Sequence, residues 1–340
     1  MNRNELARVA HAMVARGRGI LAADESTGTI KKRFDKIKVE ATEENRRAYR
    51  ELLFTTPGAA EFIAGVILYD ETLRQSTKAG ERFADLLTRL GVIPGIKVDA
   101  GTKPLPNFPG EVITEGLDGL AGRLAEYRKL GARFAKWRAV IDITDGIPTR
   151  TCIESNAELL ARYAALCQET DIVPIVEPEV LMDGGHTIER CEAVTGEVLQ
   201  TVFDSLRAHR VLLEGMILKP NMVISGQKCP HRASPDLVAE ATVRCLKRHV
   251  PAAVPGIAFL SGGQSEAEAT LHLDLISRSA ALPWSVSFSY GRALQQSALA
   301  AWGGAAAHVA AAQHEFIKRA RLNGLATLGR YDAALEKQAA

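Results

Sequence analysis

The stretch Phe134–Ile141, FAKWRAVI, decides the fold. Read as a strand with period two, it places Lys136 and Arg138 on one face and Ala135, Trp137 and Ala139 on the other. The next apolar run, Ile172–Val176, leads into Glu177 and Glu179, which share a face against Val176, Pro178 and Val180. The preceding run, Ile96–Val98, pairs Lys97 with Asp99 in the same way. Outward from these three, further runs occur at Ile20–Ala23, Phe62–Leu68, Met216–Leu218, Ile257–Leu260 and Trp284–Phe288. Helical patterns separate them, among them Leu117–Leu130, Glu154–Gln168, Thr187–Leu206, Pro235–His249 and Glu266–Ser277. Ser155 and Pro235 fit helix starts, and Gly131 fits a helix stop. Eight apolar runs alternating with helices predict a parallel α/β fold. That number favours a closed (β/α)8 TIM barrel over an open doubly wound sheet, because closure pairs the first run with the eighth and leaves no edge.

The 340 residues are read as one barrel domain, 1–340, preceded at its first strand by an extra N-terminal helix. Leu6, Val9, Ala10 and Met13 recur at helical spacing there, which favours an amphipathic helix over a transit peptide despite Arg3, Arg8, Arg16 and Arg18. At the other end, residues 332–340 carry no core-facing pattern and read as a short mobile C-terminal tail. Hydrophobic residues make up 46% and charged residues 24%, which excludes wholesale disorder. The net charge of +2 lacks the basic excess of a nucleic-acid binder. The longest apolar run, Ala298–Ala312, is alanine-rich and broken by Gly303, Gly304 and His308, so no membrane span is expected. Five scattered cysteines without a CxxC pattern suit a reducing cytoplasm.

Charges at strand ends carry the functional signal. Run one ends at Asp24, run six at Lys219, run seven at Ser261-Gly262-Gly263, and run eight at Ser289-Tyr290-Gly291-Arg292. In a barrel these ends converge on one mouth, where active sites lie. Unpaired charges buried there would cost several kcal/mol each. A polar pocket built from Asp24, Lys97, Lys136, Arg138, Glu177, Glu179, Lys219 and Arg292 is therefore expected. Its cations ask for an anion, and a phosphorylated small molecule fits. The glycines at 262, 263 and 291 can present backbone N–H groups to a phosphate after strands seven and eight. A lysine crowded by other cations loses its proton more readily, and a neutral amine attacks a ketone to form a Schiff base. Nearby carboxylates can then move the protons that dehydration and C–C cleavage require. Spacing alone does not choose among Lys97, Lys136 and Lys219 as the nucleophile.

Other short patterns fail on context. Leu260–Gln264 spells LSGGQ, but no GxxxxGK[ST] accompanies it. Gly17–Ala22 matches a loose GxGxxA that precedes a strand rather than following one. The eight histidines form no HxH or HExxH, and Cys229-Pro230-His231 alone is a poor metal site, so no metal is expected. No GxSxG is present.

Segments spread over nearly the whole chain resemble the class I, Schiff-base-forming fructose-1,6-bisphosphate aldolases. They are GILAADESTGTIKKR (Gly19–Arg33), TEENRRAYRELLF (Thr42–Phe54), GVILYDETLRQ (Gly65–Gln75), GIKVDAG (Gly95–Gly101) and FAKWRAV (Phe134–Val140). The order continues with VPIVEPEVL (Val173–Leu181), LKPNMV (Leu218–Val223), FLSGGQSE (Phe259–Glu266) and FSYGRALQ (Phe288–Gln295). The resemblance implies a (β/α)8 barrel that cleaves fructose 1,6-bisphosphate to dihydroxyacetone phosphate and glyceraldehyde 3-phosphate, as a lyase of glycolysis and gluconeogenesis. It implies no cofactor, a cytoplasmic location and a homotetramer, with a sugar phosphate as the small-molecule partner.

Carried over by position, the resemblance makes Lys219 the Schiff-base lysine and Glu177 the dehydration acid/base, with Glu179 beside it. Asp24 matches the aspartate that helps drive C–C cleavage, leaving open whether it or Glu177 takes the C4 hydroxyl proton. Lys136 matches the lysine that crowds the nucleophile. Ser261, Gly262, Gly291 and Arg292 match the pocket for the C1 phosphate, and Lys97, Arg138, Thr29 and Arg33 the handling of the C6 phosphate. Ala100 stands where many animal members carry a second lysine, and the terminal tyrosine of animal members has no counterpart after Tyr331.

Overall fold

The computed structural model describes residues 1–279 and 281–338. Ten strands form among the described residues: β1 (Gly19–Ala23), β2 (Ile63–Leu68), β3 (Ile93–Lys97), β4 (Thr102–Pro104), β5 (Val112–Thr114), β6 (Phe134–Ile141), β7 (Val173–Val180), β8 (Ile217–Leu218), β9 (Gly256–Phe259) and β10 (Ser285–Tyr290). Eight close into a parallel barrel in the order β1-β10-β9-β8-β7-β6-β3-β2. Closure is made by β1 against β10, where Ile20 pairs with Ser289. This is the (β/α)8 barrel expected from the eight runs. The antiparallel pair β4–β5 lies outside the barrel, in the connection after β3. Its three-residue strands are too short for period two to show in sequence.

Period two also sorts the barrel's two faces. Leu21, Ala135, Trp137, Val176, Leu218 and Phe259 point outward and join the core shared with the helices. Ile20, Ala22, Ile67, Phe134, Val173, Ile175, Ile217 and Ala258 point inward and form a second apolar cluster. That inner cluster is the barrel floor, and the N-terminal helix Arg3–Met13 closes it from below with Leu6, Val9, Ala10 and Met13. Asn2 caps this helix by accepting a hydrogen bond from the Glu5 N–H. A Cβ added to Gly256 would fall 2.5 Å from Val14 Cγ2, so the chain just after the helix rests against the floor of β9.

One local expectation changes. The helix expected from Glu154 starts four residues earlier, at Arg150, and Ser155 lies within it. Thr149 takes the capping position instead: its hydroxyl accepts from the Cys152 N–H and donates to the buried carboxylate of Glu111. Within the stretch expected to be mobile, Leu335–Gln338 form a helical turn. Glu336 accepts from Arg319 Nη1 at 2.6 Å and from the Tyr331 hydroxyl at 3.0 Å. The last two tail residues, 339 and 340, lie outside the described residues. Among the described residues no helix is long and apolar enough to cross a membrane.

Small and large side chains alternate around the floor. The Phe134 ring fills the space left by glycines on β3 and on β2 beyond it, so that a Cβ at Gly95 would stand 2.2 Å from Phe134 Cε2 and one at Gly65 3.0 Å from Cε1. Gly95→Ala therefore forces the ring to move inside a closed, packed layer. A loss of about 1–3 kcal/mol in unfolding free energy is expected from overpacking. Urea denaturation measures it, and an unchanged midpoint would show that the floor has room to spare.

Candidate active site

On three adjacent strands the inward face is apolar at the floor and charged at the carboxyl end. On β6 the sequence of inward residues is Phe134, Lys136, Arg138; on β7 it is Val173, Ile175, Glu177, Glu179; on β8, Ile217 is followed by Lys219. The register sets Lys97 beside Lys136 and Arg138 beside Glu177. Lys219 donates its backbone N–H to the Val176 carbonyl at 2.8 Å, which extends the β7–β8 ladder to the nucleophile candidate itself. All thirteen site residues expected from the sequence line one cavity of about 500 Å3 at this end of the barrel.

A chain of close charges crosses the cavity floor. Lys219 Nζ lies 3.1 Å from Glu177 Oε1, and Glu177 Oε2 lies 3.5 Å from Lys136 Nζ. Lys136 Nζ continues to Asp24 Oδ2 at 2.7 Å and reaches Asp99 Oδ2 at 4.0 Å. Lys136, Glu177 and Lys219 are each at most 4% exposed. Lys97 Nζ is held by the Asp99 carboxylate at 2.6 Å and its carbonyl at 2.7 Å, and Arg138 pairs with Glu179.

Around the rim, Ser26 caps the helix Thr27–Lys36 and its hydroxyl lies 3.1 Å from that of Thr29. Ser261, Gly262, Gly291 and Arg292 follow β9 and β10, with Gly291 capping the helix Arg292–Trp302. Arg33 also lines the cavity, and a Cβ at Gly291 would lie 3.6 Å from its Nη2. Its orientation is set by an ion pair with buried Glu25, which also binds Arg50 at 2.6 Å and Gln295 Nε2 at 3.1 Å.

Several cavity residues carried no assignment in the sequence reading. Asp99 shares the Lys97 face and could have been promoted on that ground. Ser289 is on the inward face of β10, 1% exposed, with a hydroxyl that has no partner among the described residues. Glu25 and Arg50 lie 25 residues apart, and only tertiary contact joins them.

The sequence model of the class-I fructose-bisphosphate aldolase family matches residues 5–340. The chain belongs to that family. A probable fructose-bisphosphate aldolase class 1 of Xanthomonas axonopodis pv. citri is 57% identical over 97% of this chain and 99% of its own. Cytosolic fructose-bisphosphate aldolase 4 of Arabidopsis thaliana is 56% identical over 93% of this chain and 80% of its own. The fructose-bisphosphate aldolase of Plasmodium falciparum, solved in complex with TRAP and a small-molecule inhibitor, superposes with a TM-score of 0.96. It is 52% identical and covers 97% of this chain and 96% of that one. The activity is therefore that of a class I aldolase, a carbon–carbon lyase of glycolysis.

The aldolase pocket keeps Asp24 and Lys136 ionised against burial. Burial alone would raise the Asp24 carboxyl, but Lys136, Lys219 and Lys97 overcome it and hold that group well below the ordinary 3.8. Burial would likewise lower Lys136, and Asp24, Glu177 and Asp99 push it above the ordinary 10.5 instead. The two shifts act at opposite ends of the pH scale. Folded Asp24 binds its proton more weakly than the unfolded chain does, so its stabilisation is present above 3.8 and is lost as pH falls through the folded value. Folded Lys136 binds its proton more tightly, so its stabilisation is complete below 10.5 and is lost in strong alkali. Lys136→Met leaves only Lys219 and Lys97 to oppose burial. The Asp24 carboxyl should then titrate at higher pH, followed by 13C NMR of labelled aspartate. A titration unmoved by Lys136→Met would show that Lys136 does not set the Asp24 charge.

Proposed function

We propose that Lys219 is the nucleophile of the aldol cleavage, with Glu177 as its proton carrier and Lys136 and Asp24 fixing the charge around them. The carrying observation is the 3.1 Å contact between Lys219 Nζ and Glu177 Oε1 at the floor of the cavity, with Lys136 on the far carboxylate oxygen. A proton passed from Lys219 to Glu177 supplies both a free amine and a neutral acid. The amine adds to the C2 ketone of open-chain fructose 1,6-bisphosphate. Glu177 protonates the C2 hydroxyl of the carbinolamine, water leaves, and an iminium remains on Lys219.

The iminium draws electrons from the C3–C4 bond. A base must take the C4 hydroxyl proton as that bond breaks. Glu177 has just become a carboxylate again, whereas Asp24 is held strongly ionised and accepts a proton poorly. That contrast assigns the base step to Glu177 and leaves Asp24 to orient Lys136. Glyceraldehyde 3-phosphate departs with the former C4 oxygen as its aldehyde. The enamine on Lys219 is then protonated at C3 and hydrolysed to dihydroxyacetone phosphate. Tyr331 is 3% exposed and engaged with Glu336 outside the cavity lining, which supports a C3 proton from a pocket group or water.

Two phosphate-binding ends orient the substrate. Ser261, Gly262, Gly291, Arg292 and Arg33 receive the C1 phosphate. Lys97, Arg138 and Thr29, with Glu179 steering Arg138, receive the C6 phosphate. The reading treats residues 1–340 as one functional domain, working in the cytoplasm as a homotetramer. The cytosolic relatives support the location, and sedimentation velocity would test the assembly.

Borohydride added with dihydroxyacetone phosphate should inactivate the enzyme and leave a reduced adduct on Lys219. Lys219→Met should abolish both labelling and cleavage. Peptide mapping that found the adduct on Lys136 or Lys97 would overturn the assignment. Glu177→Gln keeps the shape and removes the transferable proton, so turnover should fall by about 10²–10⁴-fold. Steady-state kinetics check this, and a rate near that of the parent enzyme would shift the acid role to Glu179 or Asp24.

A further inference from the structure

We propose that His272, which lines no part of the cavity, is a positioning residue for the phosphate-binding turn Ser261–Gln264. The inference rests on the aldolase reading of that turn. The turn is closed by the Gln264 N–H donating to the Ser261 carbonyl at 3.3 Å, and Gly263 adopts φ +72° within it. Both middle residues are glycines packed on Met182: a Cβ at Gly262 would lie 2.5 Å from its terminal methyl, and one at Gly263 2.8 Å from its Cβ. Ser261 faces the cavity. Gln264 is therefore the only residue of the turn whose side chain can tie it to the scaffold.

That tie runs to His272. Gln264 Oε1 lies 2.6 Å from His272 Nδ1, and the other amide atom, Nε2, is buried without a partner among the described residues. His272 is 4% exposed on the helix Glu266–Ser277, two turns beyond the loop it holds. Burial drives its pKa down to about 4, against the raising effect of nearby Glu268 and with the lowering effect of Arg232. The ring is consequently neutral at physiological pH, with one N–H and one lone pair. Oxygen is the amide atom facing Nδ1, so the N–H sits on Nδ1 and donates. The glutamine of the LSGGQ stretch thus acts as a strut between a rigid helix and a flexible glycine turn. The Ser265–Glu268 capping box fixes the start of the same helix, which makes it a firm base for the strut.

The chemistry makes the role separable from folding. Loss of the strut lets the turn drift and weakens its grip on the C1 phosphate, while Lys219, Glu177 and Asp24 keep their own contacts. His272→Leu should raise KM for fructose 1,6-bisphosphate and the inhibition constant of inorganic phosphate together, each roughly 3- to 10-fold, as for one lost neutral hydrogen bond. Turnover should stay within about twofold. His272→Asn places a side-chain N–H where Nδ1 stands and should restore both constants. Gln264→Leu should reproduce the His272→Leu effect from the other side, and the double variant should add nothing to it. It also supplies the test if His272→Leu fails to fold. In the parent enzyme, 15N NMR should find the neutral tautomer protonated at Nδ1. Equal constants in the leucine and asparagine variants, additive effects in the double variant, or an Nε2–H tautomer would each overturn the proposal. Borohydride trapping on Lys219 in the same variants reports separately on the aldolase reading.

Discussion

A lysine ammonium buried among three carboxylates is the interaction on which the site depends. Lys136 contacts Asp24, Glu177 and Asp99 at the carboxyl end of the barrel, where water is largely excluded. A buried cation with no partner would cost several kcal/mol, and three carboxylates left without it would repel one another. Asp24 and Lys136 hold each other ionised, and all four groups stand on or just past the ends of barrel strands. Lys219 approaches this cluster through the one carboxylate that also touches Lys136. Lys219 is thereby tied to the same cluster, and its own charge helps to hold Asp24 ionised.

Such a cluster needs a rigid frame, and the barrel floor provides it. Phe134 packed over Gly65 and Gly95, with Ile20, Ile67, Val173, Ile175 and Ile217 around it, makes a filled interior rather than a pore. The N-terminal helix seals that interior from below. Two residues farther along the same strand faces, the lining changes from hydrocarbon to charge. The cavity is thus the continuation of the core by other residue types. Around it, buried supports orient the groups at the rim: Glu25 with Arg50 and Gln295 for Arg33, and Asp99 for Lys97.

Eight barrel strands and the charges at the ends of several of them were legible in the order of residues alone. Period two in Phe134–Ile141 and Val173–Val180 was enough to put Lys136, Arg138, Glu177 and Glu179 on the inside of any closed barrel. Resemblance to a family then distinguished Lys219 from two other lysines. Tertiary structure decided what lies between strands distant in the chain. It set Arg33 beside Gly291, gave Thr149 rather than Ser155 the helix cap, and joined Glu336 to Arg319. The physical reason is the range of each signal. Alternation along a strand is local and is written in adjacent residues. The partner of a charge is selected by strand register, helix packing and loop path, which no single segment of sequence contains.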